Sequence, residues 1–369
     1  MKITDIKCYV LPHTVAPARY HWRKGLTGDG DGTLVGQDTY GALIKVETDA
    51  GLIGHAYGGR GYALADVVRR RLKPGFVGRD PLLTEDLWWR IWELDRLEEF
   101  QVHQLGLLDI ACWDIKSQAA GLPLHKLLGG NNARVPAQAS TVTWDTMAEY
   151  ERHIKECMDE GFFSFKLHAS GDARWDAELS ANLRKWAGPK ADLAFDGSAG
   201  WDYVTALWFG RRLEEQGFLW YEEPMREFDL PSYAELARTL DIPILAAETS
   251  DGCHWNAATW IQQRALDMIR TSVGFKGGFT GAIKVAYLAE SHGMRAQVHG
   301  GGWHNIQLAA AIRNNDYYEQ LVIDSEQIRG LKDSGPLSVV DGYVTAPEEP
   351  GAGPQPDWAA VEQRAVLAV

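Results

Sequence analysis

The chain has no run of lysines and arginines longer than the three of Arg69-Arg70-Arg71, and its 37 basic residues are outnumbered by 50 acidic ones, for a formal charge of −13. Nucleic acid is held through a basic face, so this balance argues against that class of partner. Nor is there a stretch of about 18 uncharged apolar residues of the kind that spans a bilayer. The cysteines are few and scattered at Cys8, Cys112, Cys157 and Cys253. Without a C-x-x-C spacing they suit buried thiols in a reducing cytoplasm better than a disulfide framework or a zinc site. The opening residues, 1–10, alternate polar and apolar instead of forming an apolar signal core, and predict a strand and a cytoplasmic protein. What is present is ordinary for a folded domain, 45% hydrophobic and 24% charged residues, in 369 residues that suggest one large barrel or two domains.

Three strands are predicted at 3–11, 39–48 and 52–57, the last two joined by the turn Asp49-Ala50-Gly51. A glycine-rich loop, 17–38, separates the first two strands and reads as a lid. Helical patterns follow near 63–72, 82–99 and 103–120, and the glycines, asparagines and proline of 127–136 predict a domain boundary. Beyond it, short apolar runs at 162–167, 193–195, 218–221, 244–247, 266–269, 295–298 and 317–323 alternate with amphipathic helices. That alternation implies βαβ units and a parallel barrel. The expected division is a capping domain over 1–127, a barrel over 128–335, and a tail over 336–369 that packs back on the capping domain, with strands at 337–340 and 343–345 around the turn Asp341-Gly342. The run Gly274 to Gly281 lacks phosphate-loop spacing and reads as the loop after the barrel's sixth strand, the one at 266–269.

Three apolar runs end in an acid, Asp196, Glu222 and Glu248, each 26 residues after the last. In a parallel barrel the C-terminal strand ends converge on one face, so the three carboxylates should crowd one another. Crowded carboxylates raise one another's pKa unless a cation neutralises them, and hard oxygen donors without cysteine or a close histidine pair favour Mg²⁺. The bland alternative is that each acid caps the next helix or pairs with an arginine. Lys166 and His168 stand two apart on a strand, so both side chains face the same side.

In order and spacing, Lys166-Leu167-His168, Asp196, Glu222-Glu223-Pro224, Glu248, Asp267, His299 and Glu319 resemble mandelate-racemase-like members of the enolase superfamily. The segments 108–115 and 123–130 are similar to that family's helix and turn before its barrel. The resemblance implies a modified (β/α)7β TIM-type barrel under an α+β capping domain. It also implies Mg²⁺ on Asp196, Glu222 and Glu248, with Glu223 a neighbour of the site. Enolase-superfamily sites use a lysine or histidine base with metal to ionise the carbon next to a carboxylate. Either Lys166 or His168 is then the base on one face. Asp267 and His299 are similar to the family's orienting dyad on the other, and Glu319 is expected near the substrate carboxylate. Arg270, where muconate-cycloisomerase-like and dipeptide-epimerase-like relatives carry lysine, disfavours those branches, because arginine is a poor base.

The reaction so implied is dehydration of a sugar acid to a 2-keto-3-deoxy acid, with racemisation of a 2-hydroxy acid or cycloisomerisation of a sugar lactone as alternatives. A metal-free glycosidase or a noncatalytic binding barrel would have no need for the whole set of bases and ligands. The lid residues His21, Trp22 and Arg23, with Tyr57 and Arg60 beside Gly58-Gly59, are candidates for substrate contact. By the same resemblance a homo-oligomer is expected, with a small carboxylate as its ligand.

Overall fold

The structure, a computed structural model, describes residues 1–12, 40–98 and 105–369, apart from the side chains at 95 and 98. The first sheet is an antiparallel meander of β1 (Ile3–Pro12), β2 (Tyr40–Thr48) and β3 (Ile53–Gly58). Its inner face carries Ile6, Cys8, Val10, Ile44 and Val46, all fully buried. Helix α1 (Leu107–Ala120) crosses it so closely that a Cβ on Gly54 would lie 2.0 Å from the carbonyl oxygen of Ala111, so only glycine fits there. The helix ends as its sequence predicts, at Gly121 in the left-handed conformation (φ 64°). On its other side α1 docks on the second unit, where the buried Asp109 accepts bonds from the backbone N–H (3.0 Å) and hydroxyl (2.6 Å) of Thr280.

That second unit is a parallel sheet of eight strands. In chain order they are β4 (Arg134–Thr141), β5 (Ser164–His168), β6 (Asp192–Asp196), β7 (Trp220–Glu222), β8 (Ile244–Ala246), β9 (Met268–Thr271), β10 (Ala296–Val298) and β11 (Tyr318–Val322). The ladder runs unbroken from β10 back to β4, and β4 then pairs with β11. Between β10 and β11 the barrel is closed mostly by side chains. Asn315 Oδ1 accepts from Val298 N (2.9 Å), Gln297 Oε1 accepts from Asp316 N (3.2 Å), and Glu319 Oε2 accepts from Gly300 N (2.8 Å). Inside, Ala194, Trp220, Leu245 and Met268 form a small apolar plug. Each of the last three lies on a strand leading to the polar end of the barrel.

Two expectations need correction. The first barrel strand, β4, falls where the glycines, asparagines and Pro136 predicted only a boundary, because its buried face is made of small and polar residues, Gln138 and Ser140, and not of an apolar run. The tail does not go straight to the first sheet. Instead of a strand at 337–340 there is a 3-10 turn over Gly335–Leu337, and β12 (Tyr343–Thr345) pairs antiparallel with β4 on the barrel. Only then does the chain cross to α1, where Gly351 N donates to Ser117 Oγ (2.7 Å), and end as β13 (Leu367–Ala368) on the edge of β1.

Candidate functional site

The register brings the acids together. Asp196, the last residue of β6, pairs with Glu222, the last of β7, and with His168, the last of β5. Glu248 comes two residues after β8, and one oxygen from each of Asp196, Glu222 and Glu248 lies within 4.8 Å of the others. The chain bends out of its strands through left-handed non-glycine residues at these ends, Ser198 (φ 49°), Ala199 (φ 54°), Glu223 (φ 40°) and Ala247 (φ 70°). Such conformations cost of order 1–3 kcal/mol each and persist where the surroundings impose them. Here the bonds from Gly197 N to Glu222 O (2.8 Å) and from Ala199 N to Glu223 O (2.7 Å) do so. None of the three acids caps the helix that follows it, for those helices begin at Asp202, Asp229 and Gly252.

Glu222 is fully buried and is held by two cations. Lys166 Nζ sits 3.2 Å from it and 2.7 Å from Glu319 Oε1, and Arg270 Nε sits 2.6 Å from it while Nη2 reaches Glu319 at 3.2 Å. Burial and Arg270 oppose a charge on Lys166, but the carboxylates of Glu222, Glu319 and Asp196 outweigh them and raise its pKa, so it stays an ammonium. Glu319 also takes bonds from Ser140 Oγ (2.8 Å) and Gly300 N (2.8 Å). Although burial pushes its carboxyl up, Lys166 and Arg270 bring it well below the usual range. The four carboxylates Asp196, Glu222, Glu248 and Glu319 thus face two permanent cations, a deficit that one divalent ion balances. Among the described residues the triad is the group of such donors able to share a metal, and an all-oxygen set of this kind fits Mg²⁺.

Two histidines flank the triad. His168 Nδ1 lies 2.6 Å from the carbonyl oxygen of Thr141 and must carry the proton there, which turns Nε2 to Asp196 Oδ2 at 3.3 Å. His299 Nε2 lies 3.2 Å from Glu248 Oε1. Burial brings the His299 imidazole down to about 4, while burial next to Asp196 and Glu222 pushes the Glu248 carboxyl up to about 8. At neutral pH the proton between them therefore rests on the carboxyl, with the imidazole accepting. Both histidines, Asp196 and Glu248 open on one cavity of about 340 Å³, whose rim adds Ser198, Arg226, Glu227 and Thr249.

The expected dyad does not form. Asp267 precedes β9 at the opposite end of the barrel, where its carboxylate accepts from Ile244 N (2.9 Å) and borders a separate groove with Arg238 and Arg264. Strand parity carries the signal, since Arg270 faces inward and Asp267 is an odd number of residues away. Glu319, expected near the substrate carboxylate, anchors Lys166 and Arg270. Tyr57 and Arg60 are not among the residues lining the cavity; the Tyr57 ring stands edge-on to His55, 6.0 Å away. His21, Trp22 and Arg23 lie outside the described residues. Sequence reasoning overlooked the structural part of Arg270, while Glu223, expected as a neighbour of the site, accepts from Glu248 N through its buried Oε1 at 3.0 Å.

Residues 149–360 match the family model described as enolase C-terminal domain-like, and residues 32–129 match that of the mandelate racemase / muconate lactonizing enzyme N-terminal domain. Arabinonate dehydratase of Saccharolobus solfataricus is 27% identical over 84% of this chain and 86% of its own. D-galactarolactone cycloisomerase of Agrobacterium fabrum is 27% identical over 96% of both chains. A crystal structure of D-glucarate dehydratase from Agrobacterium tumefaciens, complexed with magnesium, superposes with a TM-score of 0.86 at 30% identity and covers 100% of both chains. With its carboxylates, lysine and histidines at the barrel mouth under an α+β cap, this chain belongs to the mandelate racemase-like branch of the enolase superfamily.

Proposed function

We propose that the protein is a Mg²⁺-dependent acid-sugar dehydratase that removes the proton α to a carboxylate and expels the β-hydroxyl, giving a 2-keto-3-deoxy acid. The observation that carries the reading is the pair of histidines at the two ends of one carboxylate triad, each within 3.3 Å of a different member. Asp196, Glu222 and Glu248 would hold the ion, which as a Lewis acid makes the carbon acid strong enough for a side-chain base. His168 serves as the base, because Lys166 is committed to Glu222 and Glu319 as an ammonium, whereas the Thr141 carbonyl holds the proton of His168 on Nδ1 and leaves Nε2, beside Asp196 on the cavity wall, as the atom that can take up a proton. As a ligand Glu248 would give up its proton to solvent and leave His299 Nε2 open to the cavity, where it would take up a proton as the anionic substrate enters. The resulting imidazolium is the acid for the leaving group. The α C–H pair becomes the C=C bond, its proton goes to His168, the β C–O bond breaks, and the departing oxygen leaves as water with the proton of His299. The enol then ketonises.

Sugar-acid dehydratases among the relatives support this choice. A second reading, cycloisomerisation of a sugar-acid lactone, is favoured by the end-to-end match to the galactarolactone enzyme. Aldonates, aldarates and their lactones incubated with the protein and Mg²⁺ in D₂O, followed by proton NMR, separate the two. Dehydration predicts loss of the α signal together with a 2-keto-3-deoxy acid deuterated beside the ketone. Exchange or isomerisation with every hydroxyl retained overturns it.

A further inference from the structure

Lys276 is buried (3% exposed), sits outside the ligand set, and among the described residues pairs with no carboxylate. Its ammonium donates to the carbonyl oxygens of Ala247 (2.7 Å) and Ser250 (2.9 Å), and so clasps both ends of the short turn that carries Glu248. That turn needs holding, because Ala247 is left-handed (φ 70°) and buried, a conformation an alanine does not keep unaided. Lys276 itself is anchored firmly. Its backbone N–H donates to Ser272 O (3.1 Å), its carbonyl oxygen accepts from Cys253 Sγ (2.9 Å), and a Cβ on Gly281 would come within 1.6 Å of that oxygen. The same loop reaches the second histidine. Phe275 packs its ring 5.1 Å from that of His299, and Asn305 joins Val273 N (3.1 Å) to His299 O (2.8 Å).

We propose that Lys276 is a positioning residue for the metal site: by fixing the turn from Ala247 to Ser250 it aims Glu248 at Asp196 and Glu222. Ion affinity and selectivity then depend on a lysine that touches neither the ion nor the substrate. The inference rests on the reading of the triad as a divalent-cation site. Mg²⁺ dehydrates reluctantly and demands near-ideal octahedral geometry, whereas the larger Ca²⁺ accepts irregular ligand sets. Loosening Glu248 therefore costs more Mg²⁺ affinity than Ca²⁺ affinity, a discrimination that general destabilisation would not produce.

Calorimetric titration of the full chain with Mg²⁺ alone and with Ca²⁺ alone, without substrate, tests this. Lys276→Met is expected to weaken Mg²⁺ about 10–100-fold, the usual penalty for losing a group that orients a ligand, and to weaken Ca²⁺ less. Lys276→Gln, which keeps one donor for the turn, is expected to fall between this and the wild type, and carries the test if the methionine variant does not fold. Mg²⁺ affinities within about twofold of the wild type in the folded variants, or equal losses for both ions, overturn the proposal. If the wild-type protein itself takes up no Mg²⁺, the metal-site reading fails first, and that outcome is distinct from the other two.

Discussion

Arg270→Met exposes the electrostatics on which the site is built. The Arg270 guanidinium, 2% exposed, bonds Glu222 Oε1 at 2.5–2.6 Å, Glu319 Oε2 at 3.2 Å and the Val298 carbonyl at 3.1 Å. Methionine fills much of its volume but leaves Glu222 and Glu319 to share Lys166 alone. Removing one partner of a buried ion pair costs about 3–5 kcal/mol, because the survivor is left charged and desolvated. Urea unfolding in the presence of a chelator should therefore show a loss of about that size, read from the shift in midpoint at unchanged slope. Adding Mg²⁺ should recover part of it, since the variant carries a larger excess of negative charge where the cation binds. Arg270→Lys retains charge without the planar fork that spans two carboxylates, and should fall between the two proteins. A loss below about 1 kcal/mol for the methionine variant would refute the reasoning, for it would mean that Glu222 and Glu319 do not depend on Arg270.

Two further outcomes follow from the geometry. Replacing His299 by asparagine should lower kcat by about 10²–10⁴-fold, as for loss of a general acid, whereas Asp267→Asn, at the far end of the barrel, should leave kcat and Mg²⁺ affinity within about twofold; equal losses would restore the dyad. Mg²⁺ binding should release a proton and tighten as pH rises to about 8, where Glu248 ionises unaided, as calorimetry in buffers of different ionisation heat can show. The sign for stability is the reverse. Because the folded pKa of Glu248 is raised, its contribution to the ion-free protein is complete below the unfolded value of 4.5 and is lost as pH rises through about 8.

The carboxylate triad was legible in the sequence because it depends on a period: one acid per βα repeat, each at the end of an apolar run, is a pattern that a parallel barrel converts directly into proximity. Lys166 and His168 were legible from strand parity. Asp267 shows how parity neglected misleads. It stands at the start of the expected strand with the expected chemistry, but a strand has two ends, and only the residues around Arg270 reach the one that carries Glu222. Strand β4 was missed because Gln138 and Ser140 line a barrel interior that is polar at that point, so there was no apolar run to find. Lys276 and Glu223 act through backbone atoms of the turn around Glu248, contacts that exist only once two loops meet and that no spacing encodes.

The central claim is that one divalent ion is shared by Asp196, Glu222 and Glu248. Crystals grown with Mn²⁺ in place of Mg²⁺, and measured for the anomalous signal of the metal, test it most directly. The account predicts a single peak about 2.0–2.3 Å from an oxygen of each of the three residues, with Lys166 and Arg270 still on Glu319. No peak there, or an ion held elsewhere while Glu222 and Glu248 remain more than hydrogen-bonding distance from it, would contradict it.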